Sequence, residues 1–178
     1  MSNMSMAQVA ADQDSYRKHT ISLLVANRPG VLIRISLVFD RRGYNIDSLV
    51  VSPASDPDYS MMNIVASGDE RTLDQILKQL NKLIDVVHAS DRTGENIIQR
   101  ELALIKLSCT PDERAHLLQL SHALKCDTVD LDDGSLTVQI SGSSEKLDSV
   151  IDVFRGYSVI ELVRTGKVLM ARGTERTA

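Results

Sequence analysis

The chain has 178 residues, of which 43% are hydrophobic and 25% are charged, the mixture of an ordinary globular protein. Its 20 Lys and Arg against 24 Asp and Glu give a net charge of −4, whereas a generic nucleic-acid binder carries a basic surplus. There is no Trp, and no apolar run approaches the roughly 20 residues that span a bilayer. We therefore expect one large or two small soluble domains, with neither nucleic acid nor membrane as a partner.

The N-terminus and the cysteines indicate the compartment. Residues 1–18 are polar and lack the hydrophobic stretch of a signal peptide, so we expect a flexible N-terminal tail. The spacing of Cys109 and Cys126 is compatible with one disulfide, but nothing else in the sequence suggests an oxidising compartment. We expect a cytoplasmic protein whose cysteines pack as small core residues.

In the first half of the chain the hydrophobic period alternates between two residues and 3.6, which is typical of interleaved strands and helices. The predicted elements are a strand over Thr20–Ala26, a helix from Val31 ending at Gly43, strands over Asn45–Ser52 and Tyr59–Ser67, a helix capped by Asp69, and a strand over Ile84–Ser90. The predicted order is βαββαβ.

After a polar linker the same order repeats. The predicted elements are a strand over Glu101–Ser108, a helix over Pro111–Leu124, strands over Cys126–Asp132 and Ser135–Ser141, a helix from Ser144, and a strand over Tyr157–Val163. Thr110 and Glu113 have the spacing of a capping box, and Asp133-Gly134 is a favoured hairpin turn. The apolar stripe of the last helix repeats the stripe of the second helix at one constant offset, which indicates an internal duplication.

The duplication predicts an α+β fold of two tandem ferredoxin-like βαββαβ domains, each an antiparallel four-stranded sheet with two helices on one face. The predicted boundaries are a tail over 1–18, a first domain over 19–91, a linker over 92–98, a second domain over 99–166 and a C-terminal tail over 167–178. Helices on one face would leave the other face open, and Leu49, Val50 and Val51 place apolar side chains on both faces of one strand. We therefore expect self-association or docking onto another protein.

The sequence offers little for catalysis or metal binding. It contains no HExxH, GxSxG, GxGxxG or Walker motif. His116 and His122 are not spaced to place two ligands on one helix face, and a surface role explains them better. The segment from Asp130 to Gly134 lacks the alternating ligands and distal Glu of a calcium loop, so a hairpin turn is the better interpretation. We predict no catalytic residue and no metal site.

The turn between the first strand and the first helix, Asn27-Arg28-Pro29-Gly30-Val31-Leu32, is the most informative segment. A glycine lets a ligand approach the backbone, and the amides of Gly30, Val31 and Leu32 would be unpaired donors at the positive end of a helix. Such a site suits a carboxylate, and Asn27 offers an amide for the carboxylate or for an ammonium group. The alternative interpretation is structural, with Asn27 as a cap and Pro29 as a helix starter.

The second half provides an internal comparison. Its equivalent turn, Thr110-Pro111-Asp112-Glu113, has no glycine and carries two carboxylates in the first helical turn. Those carboxylates would occupy the helix end and repel an anionic ligand. If one half binds a small carboxylate, we expect it to be the first.

Residues 19–51, HTISLLVANRPGVLIRISLVFDRRGYNIDSLVV, resemble the ACT domain that begins the small, regulatory subunit of acetolactate synthase (acetohydroxyacid synthase). The resemblance continues through GDERTLDQILKQLNKLIDVV and ELALIKL to GKVLMARG, and so covers about residues 19–173. It implies a chain that is no enzyme itself but pairs as a homodimer through its ACT domains and binds valine or another branched-chain amino acid between them. It also implies activation and feedback inhibition of a large catalytic subunit, which would hold thiamine diphosphate, magnesium and FAD.

The resemblance also implies a set of effector contacts, carried over by matching position. They are Asn27, Gly30, Val31, Leu32, Asn45 and Ile46. Asn27 and Gly30 would come from one chain and Asn45 from its partner. Two other functions compete: a stand-alone tandem-ACT regulator of another enzyme or of transcription, and a small enzyme on ferredoxin-like units. The second lacks a visible acid and base pair.

Overall fold

The computed structural model describes residues 16–178, so residues 1–15 of the predicted tail over 1–18 lie outside the described residues. The elements, in chain order, are β1 (Tyr16–Ala26), α1 (Val31–Asp40), β2 (Asn45–Pro53), β3 (Tyr59–Asp69), α2 (Glu70–Leu80), β4 (Val86–Asp91), β5 (Ile98–Ser108), α3 (Pro111–Ala123), β6 (Asp127–Leu131), β7 (Ser135–Gly142), α4 (Ser144–Phe154), β8 (Val159–Arg164) and β9 (Val168–Met170). The described residues form two compact units, residues 16–98 with 169–178 and residues 99–168. The predicted α+β fold of two ferredoxin-like repeats is confirmed.

The first unit is an antiparallel sheet in the order β2-β3-β1-β4. Alternate residues of the central strand β1, namely Ile21, Leu23 and Val25, are buried in one hydrophobic core. That core also holds the predicted stripe of α1, which comprises Val31, Ile35, Val38 and Phe39. Burying each of these large side chains contributes about 1.5–3 kcal/mol, and this burial holds α1 against the sheet.

The opposite face of the first sheet is not open at its centre, which differs from the expectation. Thr20, Ser22 and Asn63 are buried there. The Ser22 hydroxyl donates a hydrogen bond of 3.0 Å to Asn63 Oδ1, so these two buried side chains are partners for each other.

The second unit repeats the arrangement, with the order β6-β7-β5-β8, and β9 also pairs with β5. Leu147, Val150, Ile151 and Phe154 of α4 are buried, as their stripe predicts. The predicted capping box is present as well. Thr110 Oγ1 accepts from the Glu113 amide at 3.4 Å, and Glu113 Oε2 accepts from the Thr110 amide at 3.0 Å.

Several predicted boundaries differ from the structure. The strand β1 begins at Tyr16 rather than Thr20, because β3 runs on to Asp69 and supplies a partner for every residue of β1. Residues 16–18 are therefore strand and not tail. The strand β4 begins at Val86, and β5 begins at Ile98, inside the predicted linker over 92–98.

The C-terminal segment predicted as a tail over 167–178 is ordered. It contains β9, and residues 169–178 belong to the first unit. Leu169 and Ala171 are buried, and the Ala171 amide donates to Thr177 Oγ1 at 2.9 Å. Arg92 Nε donates to the carbonyl oxygen of Thr177 at 3.0 Å. Burial and hydrogen bonding together outweigh the polar composition that suggested a tail.

Removing residues 171–178, which leaves β9 in place, should destabilise the end of β4 and the segment 92–96. The reason is that Arg92 loses the Thr177 carbonyl oxygen as its acceptor. Amide hydrogen exchange measured by mass spectrometry should become faster in 86–96, while exchange in β7 of the second unit stays unchanged. Equal exchange in 86–96 for the full and shortened chains would contradict this role for the segment.

Gly68 of β3 lies directly beneath the ring of Tyr44. A Cβ atom at position 68 would come within 2.1 Å of that ring, far inside van der Waals contact. We expect Gly68→Ala to lower the free energy of unfolding in urea by about 1–3 kcal/mol, the usual cost of overpacking. Gly134→Ala is the matched control, since a Cβ there meets nothing within 4 Å. Equal stability of the two variants would mean that Tyr44 moves aside without cost.

Candidate functional site

The turn after β1 ends in a left-handed glycine. Gly30 has φ of 83° and is the N-cap of α1, with no side-chain hydrogen bond to the helix end. A glycine adopts this conformation at no steric cost, whereas other residues are strained there. The turn is fixed by backbone bonds from the Ala26 amide to the Asp85 carbonyl oxygen and from the Asn27 amide to the Asp58 carbonyl oxygen, each 2.8 Å long.

The side chain of Asn27 does not cap the helix, whose N-cap is Gly30, so the predicted alternative of a capping role for Asn27 is wrong. It is exposed, and its Nδ2 donates to the carbonyl oxygen of Pro57 at 3.1 Å. Its Oδ1 accepts no hydrogen bond from the residues that the structure describes. The oxygen is therefore available to a donor such as an ammonium group.

The amides at the start of α1 are not all free. The Val31 amide donates to the Arg28 carbonyl oxygen at 3.4 Å, so the expectation of three unpaired donors fails at this position. Within residues 16–178 the amides of Gly30 and Leu32 donate to no carbonyl oxygen or side chain. These two N–H groups lie at the positive end of the helix dipole, which suits an anion.

Arg34 is a residue of this turn that the sequence analysis did not single out. Its Nε donates to Asp85 Oδ2 at 2.7 Å, which fixes the guanidinium group over the turn. A Cβ atom at position 30 would lie 3.0 Å from Arg34 Nη1, so the missing side chain of Gly30 makes room for this guanidinium. The sequence did contain a signal for Arg34: it lies four residues after Gly30, and residues four apart lie on the same side of a helix.

Asn45 and Ile46 lie at the other end of the same sheet. Asn45 is exposed and its Nδ2 donates to Asp47 Oδ1 at 2.9 Å, whereas Ile46 packs against the edge of the core. Asn45 pairs with Ser67 of β3, and Ala26 pairs with Tyr59 of the same strand. At about 3.4 Å per residue, these two rows are about 27 Å apart.

One chain therefore does not bring the six predicted contacts together. Asn27, Gly30, Val31 and Leu32 surround the start of α1, whereas Asn45 and Ile46 are at the start of β2. A single ligand the size of an amino acid spans only one of these groups.

The equivalent turn of the second unit is closed to anions, as expected. Glu113 accepts hydrogen bonds from the backbone and the hydroxyl of Thr110, and these bonds hold the pKa of the carboxyl below its ordinary value. The carboxylate therefore stays charged at the helix end, where it takes the place an anionic ligand would occupy.

The described residues contain no cluster of three or more His, Cys, Asp or Glu side chains that could hold a metal ion. Cys109 and Cys126 are buried and unbridged, and burial raises the pKa of the Cys126 thiol, which disfavours the nucleophilic thiolate. His116 is occupied by a hydrogen bond of 3.0 Å between Nε2 and the Tyr157 hydroxyl. No helix among the described residues has the length and apolarity to cross a membrane.

Comparison with known proteins gives matches along nearly the entire chain. Residues 21–88 match the family model described as AHAS small subunit-like ACT domain, and residues 100–173 match the model described as small subunit of acetolactate synthase. A probable acetolactate synthase small subunit of Archaeoglobus fulgidus is 42% identical over 159 residues, which are 89% of this chain and 99% of that protein. The acetolactate synthase small subunit of Bacillus subtilis is 38% identical over 90% of this chain and 94% of its own.

The fold gives the same assignment. The crystal structure of the acetolactate synthase small subunit from Thermotoga maritima superposes with a TM-score of 0.79 and 34% identity, over 89% of this chain and 99% of that one. Both repeats and the ACT topology of the first unit agree with these relatives. The chain belongs to the family of acetolactate synthase small subunits, which are regulatory ACT-domain proteins and not catalysts.

Proposed function

We propose that this chain activates an acetolactate synthase catalytic subunit and confers feedback inhibition by valine, or another branched-chain amino acid, bound between two ACT domains. The observation that carries the proposal is the start of α1, where Gly30 leaves its own amide and that of Leu32 without acceptors among the described residues. Two N–H groups at a helix N-terminus match the two oxygens of an α-carboxylate. The free Oδ1 of Asn27 lies in the same turn and suits the ammonium group of the same ligand.

The electrostatics of α1 support an anionic ligand. The first turn of α1 has no acidic residue, whereas the first turns of α2, α3 and α4 each carry at least one. The guanidinium of Arg34 adds positive charge beside Gly30. The ion pair with Asp85 balances part of this charge, and the helix N-terminus adds a further positive potential that favours a carboxylate beside Gly30.

The sheet geometry supports a site shared by two copies. The strand β2 is an edge strand, and its Pro53 end lies at the same end of the sheet as Ala26 of β1, on the other side of β3, since the two pair with Ser60 and Tyr59. Antiparallel pairing of β2 with the β2 of a second copy would bring that copy's Asn45 end to this Pro53 end. One chain's turn and the other chain's Asn45 would then face a common space.

The side chains of β2 suit such self-pairing. With Val50 opposite its own copy, Leu49 lies opposite Val51, and no charged residue is opposed to a like charge. Val51 is 46% exposed, and on the neighbouring helix Ile33 and Leu37 are 64% and 41% exposed. A dimer formed there would cover this apolar surface and present aliphatic side chains to a branched aliphatic ligand.

The chemistry of acetolactate synthesis would lie outside this chain. We infer that thiamine diphosphate, magnesium and FAD are held by the large subunit, and that this chain contributes binding and conformational coupling alone. The unbridged Cys109 and Cys126 suit a cytoplasmic location for both subunits.

The sharpest test of the effector site is Gly30→Asp. An aspartate at this position would meet Arg34, would be strained at φ of 83°, and would set a carboxylate where the ligand's carboxylate is proposed to bind. We expect valine affinity, measured by calorimetry, to fall at least about a hundredfold, and feedback inhibition of the reconstituted enzyme to be lost while activation persists.

Gly134→Asp is the matched control, since it adds the same charge to an open hairpin turn of the second unit. It should leave valine binding unchanged. Undiminished valine affinity in Gly30→Asp would show that the effector binds elsewhere.

If the effector site is shared by two copies, a variant that cannot dimerise should also lose effector binding. Val50→Lys places two like charges opposite each other in the paired β2 strands, so sedimentation should show a monomer and calorimetry should show no valine binding. Val129→Lys, on the edge strand β6 of the second unit, is the control and should remain dimeric. A monomeric Val50→Lys chain that still binds valine at the original affinity would contradict the interchain site.

A further inference from the structure

The second unit has an exposed apolar edge strand that the proposed effector site does not use. All six residues of β8 are exposed, and four are large and apolar: Val159, Ile160, Leu162 and Val163. Among the described residues β8 pairs only with β5, so its outer backbone groups have no strand partner. A flat apolar edge of this kind is an aggregation hazard unless another chain covers it.

The strand β8 is held firmly in its place. Arg164 at its end forms ion pairs with Glu101 and Asp148, each 2.5 Å long, and Glu101 is buried. Lys106 of β5 lies 3.8 Å from Glu161 in the middle of β8. Because the strand is fixed before any partner arrives, little conformational entropy is lost when one binds.

The opposite edge of the same sheet is protected. The strand β6 has five residues, and Asp127 and Asp130 within it are exposed. The turn that follows adds Asp132 and Asp133. Charges on a short edge strand are a common device against unwanted strand pairing, so the sheet blocks one edge and leaves the other available.

A second copy of this chain is a poor partner for β8. Opposed side chains must lie on the same face, so the possible two-fold registers differ by two residues. In one register Ile160 lies opposite Leu162 and Val159 opposite Val163, which sets Glu161 opposite the Glu161 of the second copy. In the next register Glu161 lies opposite Val163, and Arg164 lies opposite Ile160. In each of these registers Glu161 lies opposite its own copy or a valine, which disfavours pairing of two β8 strands.

We propose that β8 is the docking edge for the large catalytic subunit, which adds an extended strand with apolar side chains and a basic or hydroxyl side chain opposite Glu161. Backbone hydrogen bonds to β8 would give affinity, and the alternating apolar and charged positions would give specificity. This inference rests on the proposed partnership with the catalytic subunit and assigns it to one strand.

The test compares Val163→Lys on β8 with Val129→Lys on β6. Both replace an exposed valine of an edge strand in the same sheet, and Val163 and Val129 are 51% and 55% exposed. Binding of the purified catalytic subunit is measured by surface plasmon resonance, and valine affinity and dimer mass are measured on the same preparations. A second variant, Ile160→Lys, probes the opposite face of β8.

We expect Val163→Lys and Ile160→Lys to weaken binding of the catalytic subunit at least about tenfold, equivalent to about 1.4 kcal/mol, with valine affinity, dimer mass and circular dichroism unchanged. Val129→Lys should bind as the original chain does. Full binding by both β8 variants would overturn the inference, and so would a loss of dimer mass, which would mean that a second copy covers β8. If the original chain itself binds no catalytic subunit, the proposed function fails instead.

Discussion

Two backbone N–H groups at the start of α1, those of Gly30 and Leu32, have no acceptor among the described residues, and the proposed site depends on them. Helix ends normally satisfy their free amides with side chains, and the other three helices do so through Asp69, Thr110 and Ser143. The hydrogen bonds from Thr72 hold the pKa of Asp69 below its ordinary value, so this cap stays charged. At α1 the capping residue is Gly30, and no side chain takes that role. A ligand carboxylate could accept the hydrogen bonds that a capping side chain would otherwise accept at this helix end.

The sheet decides how the rest of such a site is assembled. Because antiparallel strands rise by about 3.4 Å per residue, the start of β2 and the end of β1 lie about 27 Å apart along the sheet. If two copies pair through β2 as proposed, the same antiparallel geometry would bring the Asn45 end of one copy to the Pro53 end of the other. Binding at a shared site would therefore depend on dimerisation, and regulation would follow from the contacts between copies.

The duplicated units have diverged in their helix ends and in their edges. The first unit leaves a helix end open and has an uncharged edge around Val50. In the second, a capping box at Thr110 closes the helix end, β6 carries exposed carboxylates, and β8 carries four exposed apolar side chains. The two units share one topology, and a few side chains at helix starts and strand edges are what distinguish their surfaces.

The sequence alone determined the order of elements, the duplication, the helix stripes and the divergence of the two turns, because these depend on local periodicity and capping chemistry. It also located Gly30, since few residues other than glycine suit that position. Three features became visible only in the folded chain. Arg34 lies over Gly30, Asn45 is far from Asn27, and the C-terminal residues fold with the first unit. These depend on which distant residues meet across the sheet, and neither hydrophobic period nor composition contains that information.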